Sequence, residues 1–481
     1  MSNLAKESAM NRINALLDEN SFVEIGGLVT ARSTDFNMQD KVAASDGVIT
    51  GYGVIDNSLV YVYSQDASIL GGTVGEMHAK KISRLYDMAV KMGAPVVALV
   101  DCAGLRLEEA ADALNAFGEV YAKQAAASGV VPQVTAVFGT CGGGMGVMAS
   151  LSDFTFMAED GKLFVNAPNT LDGNRVEKCD TASAAYQAEV SGMADYTGTE
   201  EEVLAGIRQL VSVLPMNNDD FAEEQCADDL NRVCENLADC VGDTEIALEN
   251  LADAGTFFEI KKAYAKNMVT GFMKLNGITV GAVANRAVVY DEEGKAEELG
   301  TALTAEGCEK AADFVNFCDA FNIPVLTLTN ASGFAATVDN EKRIAKAAAK
   351  LTYAYAEATV PKVNVVVGQA MGNAYNVMNS KACNADIVYA WPDAKIGTMD
   401  SDAAVRIIYA EEIKKAEDSV AFINEKKAEY ETLQVSAASA AKRGYVDSII
   451  APEDTRKYVI GAFEMLYTKK EERPAKKHGT V

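Results

Sequence analysis

An internal duplication constrains the fold of this chain more than any other feature of its sequence. Residues 46–63 read DGVITGYGVIDNSLVYVY, and residues 267–284 read NMVTGFMKLNGITVGAVA. Each segment has two apolar runs around a two-residue turn, at residues 56–57 or 276–277, which is the pattern of a β-hairpin. Because the second half of the chain restarts with the hairpin of the first half, we predict two copies of one supersecondary unit.

Two pairs of prolines fix the offset between the copies. Pro95 and Pro324 each open a short apolar run, and Pro132 and Pro361 open the next apolar runs. The separation along the chain is the same within both pairs. Unrelated halves would not keep one offset over such a distance. The repeated order of hairpin, helix, strand, helix and strand predicts an α/β layer architecture, with ligand-binding loops at the carboxyl ends of the strands.

The polar, acidic segment at residues 215–253 separates the two copies. At 481 residues, the chain is too long for one ordinary core. We therefore predict an N-terminal domain over residues 1–220 and a C-terminal domain over residues 221–481. A later stretch, residues 411–427, is charged at helical spacing and predicts one solvated helix.

The charge balance limits the partners of the chain. The 69 Asp and Glu residues outnumber the 43 Lys and Arg residues, which gives a formal charge of −26 at pH 7. Such a chain repels nucleic acid and anionic lipid, so we expect neither as a partner. The nine cysteines contain no C-x-x-C pair, and neither a signal peptide nor an apolar run of about 18 residues is visible. This pattern favours the cytoplasm and predicts no metal site.

A glycine-rich turn, FGTCGGGMGVMAS at residues 138–150, marks the candidate site of the first copy. Gly144, Gly146 and Ala149 fit the G-x-G-x-x-A pattern of dinucleotide binding, but the matching turn QAMGNAY of the second copy does not repeat it. A second interpretation is that the glycines only allow a helix to pack closely on a strand. The third is an oxyanion hole, in which backbone N–H groups at a helix start stabilise a developing negative charge.

The motifs that are missing favour the oxyanion hole. The chain has two histidines, His78 and His478, and it lacks a G-x-S-x-G elbow, a P-loop and an H-E-x-x-H motif. It therefore offers amide donors at two turns but few acid–base groups. That combination suits a reaction in which the other reactant brings its own base.

Blocks of sequence along nearly the whole chain resemble the carboxyltransferase subunits of biotin-dependent acyl-CoA carboxylases and the related α subunits of biotin-dependent decarboxylases. The blocks are INALLDENSFVEIG, DGVITGYGVID, VYSQDASILGGTVGEMHAKKI, ASGVVPQVTAVFGTCGGG, GTFFEIKKAYAKNMVTGF, FVNFCDAFNIPVLTL, KLTYAYAEATVPKV, NAYNVMNSKACNADIVYAWP and AAKRGYVDSIIAPEDTR. The last three are especially specific to that family. The resemblance implies an α/β fold of two tandem crotonase-like (ClpP/crotonase) ββα superhelix domains.

The resemblance also implies ligands and partners. Members of this family assemble as hexamers built from dimers, with the active site between the N-domain of one chain and the C-domain of another. The N-domain takes the coenzyme A thioester, and the C-domain takes biotin on a separate biotin carboxyl carrier protein, so we expect no biotin attached to this chain. The further expected partner is a biotin carboxylase or a membrane decarboxylase subunit, and the latter would bring a cytoplasmic protein to the membrane.

Site residues follow from the resemblance by position. Gly143 and Gly144 would hold the thioester enolate oxygen, and Asn373 and Ala374 would hold the ureido oxygen of biotin. The implied substrate-binding positions around these turns are Gly104, Arg106, Gly142, Gly372, Tyr375 and Asn376. In this chemistry carboxybiotin releases CO2 and the N1 atom of biotin takes a proton from the acyl α-carbon, so no protein side chain need be the base.

The chain departs from the family at the second turn. Many members read A-Y-G-G-A-Y where this chain reads AMGNAY, which puts Asn373 at a glycine position. Asparagine tolerates left-handed backbone angles and its N–H can still donate, but its bulk could crowd the biotin ring. Asn376 lies where the family varies with acyl preference, and contact with the acyl group and capping of a helix turn are equal alternatives. Arg106 and Lys381 are candidate phosphate contacts, although lone basic residues are more often ion-pair partners.

We therefore expect a carboxyltransferase that moves a carboxyl group between carboxybiotin and the α-carbon of a short-chain acyl-CoA of the acetyl- or propionyl-CoA type. The alternative is the α subunit of a sodium-pumping methylmalonyl-CoA or glutaconyl-CoA decarboxylase. A second alternative is a non-catalytic scaffold subunit, suggested by Asn373 and by the altered loop CAGLR at residues 102–106.

Overall fold

The computed structural model describes residues 9–32, 36, 38–40, 43, 45–221, 226, 228–290, 293–474 and 479. The chain divides into two compact units, Met1–Ala222 and Glu223–Val481. The predicted assignment of acyl-CoA to the first and biotin to the second stays a prediction. His478 lies outside the described residues.

The first unit is a mixed β-sheet covered by helices. Its strands are β1 (Val23–Glu24), β2 (Val48–Ile55), β3 (Ser58–Gln65), β4 (Val96–Cys102), β5 (Gln133–Gly142), β6 (Phe154–Ala158), β7 (Lys162–Phe164) and β8 (Tyr196–Gly198). Its helices are α1 (Ala9–Leu16), α2 (Glu76–Met92), α3 (Ala110–Ala127), α4 (Gly144–Ser150), α5 (Ala184–Glu189) and α6 (Glu200–Val213). The sheet order is β1-β2-β3-β4-β5-β6-β8, with β7 paired to β5. The pairs are antiparallel up to β3 and parallel from β3 onward.

The second unit repeats this sheet. Its strands are β9 (Phe258–Ile260), β10 (Met268–Leu275), β11 (Ile278–Asn285), β12 (Val288–Tyr290), β13 (Ala296–Glu298), β14 (Ala302–Leu303), β15 (Val325–Ala331), β16 (Gly333–Phe334), β17 (Lys362–Met371), β18 (Ile387–Ala390), β19 (Lys395–Gly397) and β20 (Ser448–Ile449). The main sheet runs β9-β10-β11-β15-β17-β18-β20, with β19 paired to β17.

The helices of the second unit lie on both faces of that sheet. They are α7 (Thr244–Leu251), α8 (Ala305–Ala320), α9 (Val338–Glu341), α10 (Ile344–Glu357), α11 (Gly372–Val377), α12 (Ser401–Ile408), α13 (Ala410–Lys415), α14 (Ser419–Tyr430), α15 (Ala437–Lys442) and α16 (Thr455–Leu466). Leu248 of α7 and Phe463 of α16 pack in one core cluster with Leu326 of β15. Phe314 of α8 packs on Phe272 of β10, with ring centroids 4.9 Å apart. Burial of the parallel strands between helices leaves the strand ends and their loops to bind a ligand.

The two hairpins form because their turn residues accept left-handed backbone angles. Asp56 and Asn57 have φ of 47° and 67°, and Asn276 and Gly277 have φ of 52° and 81°. Positive φ at both positions gives the type I′ turn, whose twist matches that of the flanking strands. The predicted hairpins are therefore confirmed.

The duplication is also confirmed by the strand boundaries. The offset between β4 and β15 is the same at both ends of the strands, and β5 and β17 share that offset. The strands of the two hairpins keep a single, slightly shorter offset of their own. One offset within each block means that the loops between the blocks differ in length while the sheet itself is preserved.

The single charged helix predicted over residues 411–427 is wrong in its continuity. The structure has α13 and then α14, which starts after Asp418. The carboxylate of Asp418 accepts hydrogen bonds from the N–H groups of Val420 and Ala421 at 3.0 and 2.9 Å. An acidic residue that caps a helix start in this way begins a new helix. In the part of the chain that the structure describes, no helix is long and apolar enough to cross a bilayer.

Candidate active site

In both units a ten-residue strand runs directly into a short helix. β5 is followed by Gly143, with φ 60° and ψ −121°, and then by α4. β17 is followed by α11, whose first residue, Gly372, also has φ 60°. Side chains are disfavoured at positive φ, which explains a glycine in both copies. Since no loop intervenes, the first N–H groups of each helix are presented at the carboxyl end of the strand.

One of the predicted donors, Gly143, is already engaged. Its N–H donates to the carbonyl oxygen of Phe164 in β7 at 2.9 Å. The N–H of Gly146 donates to the carbonyl of Gly143 at 3.0 Å. The donors that helix geometry leaves without an intrahelical acceptor are therefore Gly144 and Met145. The N–H of Gly143 is therefore taken within the unit, whereas those of Gly144 and Met145 lie at the start of α4, and which residues bind a reactant stays a prediction.

Gly144 and Met145 are equivalent in position to the pair predicted for the second unit. The constant offset between β5 and β17 places Gly144 at Asn373 and Met145 at Ala374. Both residues of the second pair lie in the first turn of α11, where N–H groups lack an intrahelical acceptor. The two units thus present the same two main-chain positions.

Aromatic residues of α3 enclose Gly144. The hydroxyl of Tyr121 donates to the carbonyl of Gly144 at 2.9 Å. A Cβ atom added at Gly144 would lie 2.9 Å from that hydroxyl and 3.0 Å from the ring of Phe117. Position 144 therefore has no space for a side chain.

The second unit has space at the equivalent position, Asn373. When α3 and α10 are aligned on their buried residues, α10 carries Ala348 and Thr352 where α3 carries its two aromatic residues. The side-chain oxygen of Asn373 accepts a hydrogen bond from Nδ2 of Asn376 at 3.4 Å. The asparagine side chain is thus held against its own helix.

Gly104 borders the first turn. It follows β4 with φ 107°, and a Cβ atom added there would lie 3.3 Å from the carbonyl oxygen of Gly142. Its carbonyl accepts from the N–H of Val74 at 2.9 Å, and its N–H donates to Sγ of Cys102 at 3.3 Å. The structure thus brings Gly104, Gly142 and the α4 turn together.

Arg106 is not placed to contact a phosphate. The side chain is 1% exposed and pairs with Asp46 and, at 2.8 Å, with Glu109. Its Nη2 donates to the carbonyl of Thr73 at 2.6 Å. The predicted phosphate contact is therefore corrected: burial and these partners hold the guanidinium inside the unit. Lys381, the other candidate, forms an ion pair with Asp447.

The carboxylates around Arg106 also cap α2. Asp46 accepts from the N–H of His78 at 2.7 Å, and Glu109 accepts from the N–H of Glu76 at 2.7 Å. Burial raises the pKa of Asp46, while the Arg106 guanidinium opposes that rise. These groups join the loop after β4 to the start of α2. Arg106 therefore has a structural role near the glycine turn.

A cavity of about 570 Å³ opens beside the turn of the second unit. It is lined by Gly372, Asn373, Tyr375, Asn376, Ile396, Gly397, Thr398, Tyr430, Gln434, Ala440, Arg443 and Tyr445. Four predicted site residues therefore share one cavity. Burial raises the pKa of Tyr375, so its hydroxyl stays protonated at neutral pH.

The part of this cavity formed by residues 430–443 is not predicted by the sequence patterns. Tyr430 directly precedes a π-helical turn, Glu431–Val435, and Gln434 lies within that turn. Arg443 holds this turn, since Nη2 donates to the carbonyl of Leu433 and to Oε1 of Gln434, both at 3.0 Å. The block AAKRGYVDSIIAPEDTR contained Arg443, but nothing in the pattern showed that it faces the glycine turn.

A second cavity, of about 910 Å³, lies in the first unit within the segment that follows β7. Its lining includes two exposed cations, Arg175 and Lys178, together with Glu177. Hydrogen bonds within this segment hold it, such as the one that the side-chain Nδ2 of Asn174 donates to the carbonyl oxygen of Cys179 at 2.9 Å.

Comparisons with known proteins agree with this architecture. The chain matches the carboxyl transferase domain family over residues 3–481. It is 40% identical to the propionyl-CoA carboxylase carboxyltransferase subunit of Haloferax mediterranei, over 99% of this chain and 93% of that protein. It is 39% identical to methylmalonyl-CoA decarboxylase subunit alpha of Propionigenium modestum, again over 99% and 93%.

A solved structure is similarly close. The crystal structure of transcarboxylase 12S with hydrolysed methylmalonyl-coenzyme A bound matches with a TM-score of 0.92 at 36% identity, over 98% of this chain and 92% of that chain. This match confirms the predicted fold of two similar crotonase-like domains. The chain therefore belongs to the carboxyl transferase domain family and is an acyl-CoA carboxyltransferase.

Proposed function

We propose that the chain moves a carboxyl group between biotin on a separate carrier protein and the α-carbon of a short-chain acyl-CoA. The observation that carries this proposal is the repeated turn, in which a ten-residue strand enters a helix through a glycine at φ 60°. Carboxyl transfer between two carbonyl compounds develops negative charge on two oxygens. Two equivalent turns supply two sets of main-chain donors for them.

In the first unit, the N–H groups of Gly144 and Met145 would bind the thioester carbonyl oxygen. Negative charge grows on that oxygen when the α-carbon loses its proton. Donors fixed between a strand and a helix need no rearrangement as the charge forms, and loss of one such donor costs about 2.7–4 kcal/mol in other enzymes. Gly104 and Gly142 border the same turn and keep side chains away from the thioester.

In the second unit, the residues present fit a biotin head group. The cavity beside Asn373 has about 570 Å³, within the range of small-molecule sites. Among the described residues that line it, none is a carboxylate that would repel a developing oxyanion. The N–H groups of Asn373 and Ala374 would bind the ureido oxygen, with Gly372, Tyr375 and Asn376 around the ring. When bound, biotin would supply the transferred carboxyl group and the base, its N1 atom.

This assignment leaves His78 without an acid–base role. The ring is fully buried, with Nδ1 2.8 Å from the carbonyl oxygen of Asp46 and Nε2 3.1 Å from Nε2 of Gln65. The carbonyl must accept, so Nδ1 carries the proton and Nε2 accepts from the amide. Burial, assisted by the Arg106 charge, lowers the pKa of His78 to about 3, so the ring is neutral at physiological pH.

We infer that propionyl-CoA and methylmalonyl-CoA are the substrate pair, because the relatives at 40% and 39% identity are named for them. Carboxylation is the proposed direction. The similarity to the decarboxylase subunit supports the reverse transfer as a second candidate, since the same donors would serve both directions.

We further propose a homo-oligomer built from dimers, following the hexamer assembly of transcarboxylase 12S. The partners would be a biotin carboxyl carrier protein and either a biotin carboxylase or a membrane decarboxylase subunit. The nine cysteines, all free thiols, support a cytoplasmic protein that reaches the membrane only through such a partner.

The purified chain tests the proposal with methylmalonyl-CoA and free biotin. We expect biotin-dependent formation of propionyl-CoA, saturable in both reactants and measured by chromatography. Reactions without biotin give the background. Binding of methylmalonyl-CoA and malonyl-CoA without any conversion would overturn the proposal and favour the scaffold alternative.

A further inference from the structure

In each unit, a bulge interrupts the β-ladder just before the glycine turn, and one polar residue lies opposite the bulge. In the first unit, Val100 of β4 pairs with Val137, but Cys102 pairs with Cys141. Three residues of β5 therefore lie opposite Asp101 alone, which makes a bulge in β5. The backbone N–H groups of such a bulge lose their ladder partners and need another acceptor.

Asp101 supplies that acceptor. Its Oδ1 accepts a hydrogen bond from the N–H of Thr140 at 3.2 Å. Gly139, in the middle of the bulge, makes room for the carboxylate, since a Cβ atom there would lie 2.0 Å from Oδ1. The contact lies three residues before Gly143, where the chain turns into α4.

The second unit repeats the arrangement with an uncharged residue. Thr329 pairs with Val366 and Ala331 with Ala370, so Asn330 stands alone opposite the bulge of β17. Its Oδ1 accepts from the N–H of Gln369 at 3.0 Å. A Cβ atom at Gly368 would lie 2.5 Å from Oδ1 of Asn330.

The two acceptors are held by different surroundings. Asp101 is 4% exposed and lies 3.8 Å from Arg12, whose guanidinium covers the ring of Phe138 and pairs with Glu200 at 2.5 Å. Asn330 donates its own N–H to Oδ1 of Asn285 at 3.0 Å. Both copies therefore place a side-chain oxygen opposite the bulge, but only the oxygen of Asp101 belongs to a carboxyl group.

We propose that Asp101 and Asn330 are positioning residues, and that the oxygen of each aims the helix-start amides that follow it. Asp101 would set Gly144 and Met145 toward the thioester oxygen, and Asn330 would set Asn373 and Ala374 toward the ureido oxygen. The inference rests on the proposed function, in which the two turns take different reactants. A purely structural role would weaken both half-sites or neither.

Steady-state kinetics with methylmalonyl-CoA and free biotin test this inference. Asp101→Ala should raise the KM for the acyl-CoA and lower kcat. Together these changes should lower kcat/KM by about 100-fold, because small misplacements of reacting groups cause losses of that size. The KM for biotin should stay within about two-fold. Asn330→Ala should show the opposite pattern. Asp101→Asn and Asn330→Asp keep the oxygen and should retain at least about a third of wild-type kcat/KM.

Matched controls and a second set of variants keep the test decisive. Asp160→Ala and Asn424→Ala, at exposed positions of the two units, should match wild type. Gly139→Ala and Gly368→Ala displace the same oxygens from the opposite strand, so they should reproduce the reactant-specific effects if an alanine variant at 101 or 330 does not fold.

The outcomes separate the two claims. Equal losses toward both reactants, or failure of the conservative variants to retain activity, would overturn the positioning role while wild-type transfer stands. Absence of transfer by the wild-type protein would overturn the proposed function itself.

Discussion

The two turns share one main-chain geometry but are fastened by different side chains. In the first unit, the guanidinium of Arg106 lies between two buried carboxylates and joins the loop after β4 to the start of α2. In the second, Ala335 stands at the offset position, and Asn340 makes the join. Its Nδ2 donates to the carbonyl of Ala335 and its Oδ1 accepts from the N–H of Ala305, both at 2.8 Å.

The duplicated unit keeps its backbone geometry and varies its side chains. Strand register, bulge and turn glycine are identical in position, whereas charge, aromatic cover and side-chain size are not. The two copies therefore have the main-chain positions in common and differ in the side chains around them. This pattern fits the proposed role of main-chain donors, and each turn is held by a different set of side-chain hydrogen bonds.

We expect the largest effect, on the stability of the first unit, from removing the buried charge of Arg106. Arg106→Met takes the guanidinium from between Asp46 and Glu109, so we expect the free energy of unfolding of the first unit to fall by about 3–5 kcal/mol. Asn340→Ala should cost the second unit about 1–3 kcal/mol, because neutral groups lose their partner. Hydrogen exchange of the α2 and α8 amides measures both, and equal losses would remove the contrast.

The next effect comes from copying the residue of the second turn into the first. Gly144→Asn places a side chain against Tyr121 and Phe117, which should cost about 1–3 kcal/mol by overpacking. Displacement of the donor should lower kcat by about 100-fold or more. Thermal unfolding and transfer kinetics measure these changes. Gly118→Asn, where an added Cβ meets nothing within 4 Å, is the control, and full activity of Gly144→Asn would refute the enclosure.

A smaller, pH-dependent effect should separate two equivalent aspartates. Asp153 accepts from the N–H of Gln133 at 2.8 Å, and burial raises the pKa of Asp153 to about 7. Asp386 accepts from the N–H of Lys362 at 2.8 Å but also pairs with Lys469 at 2.9 Å. The contrast predicts that replacement by asparagine changes the pH dependence of stability at position 153 and the stability at neutral pH at position 386.

The direction in which stability changes with pH follows from proton binding by Asp153. Between about pH 4 and pH 7 the unfolded chain has released the Asp153 proton while the folded chain keeps it, so stability falls as pH rises through this range. Asp153→Asn should remove that slope, and Asp386→Asn should lower stability at pH 7 by loss of its ion pair. Urea unfolding from pH 4 to pH 8 checks both, and an unchanged slope in Asp153→Asn would contradict the assignment.

The smallest effect is expected from the reverse exchange. Asn373→Gly removes the contact with Asn376 and should cost about 0.5–1 kcal/mol of helix stability. Because the donor is the main-chain N–H, kcat should stay within about two-fold. The KM for biotin, measured by transfer kinetics, should not rise. A ten-fold loss of kcat would show that the side chain of Asn373 itself acts.

The sequence predicted what is local. Hairpins, strand starts at prolines and glycine turns depend on neighbouring residues, and all lie where the patterns placed them. The pattern could not show that the N–H of Gly143 donates to the carbonyl oxygen of Phe164, which lies in a later strand. Arg106 was misassigned because its partner Asp46 lies 60 residues away in the chain.

The cavity beside the turn of the second unit illustrates the same limit. Tyr430, Gln434 and Arg443 approach Asn373 only because a π-helical turn follows α14 and folds back on β19. No short pattern in the sequence encodes that approach.

A crystal structure with propionyl-CoA and biotin bound tests the central claim most directly. We expect the thioester oxygen within hydrogen-bond distance, about 2.7–3.1 Å, of the N–H groups of Gly144 and Met145, and the ureido oxygen equally close to those of Asn373 and Ala374. Either oxygen held instead by side chains, or lying away from these helix starts, would contradict it.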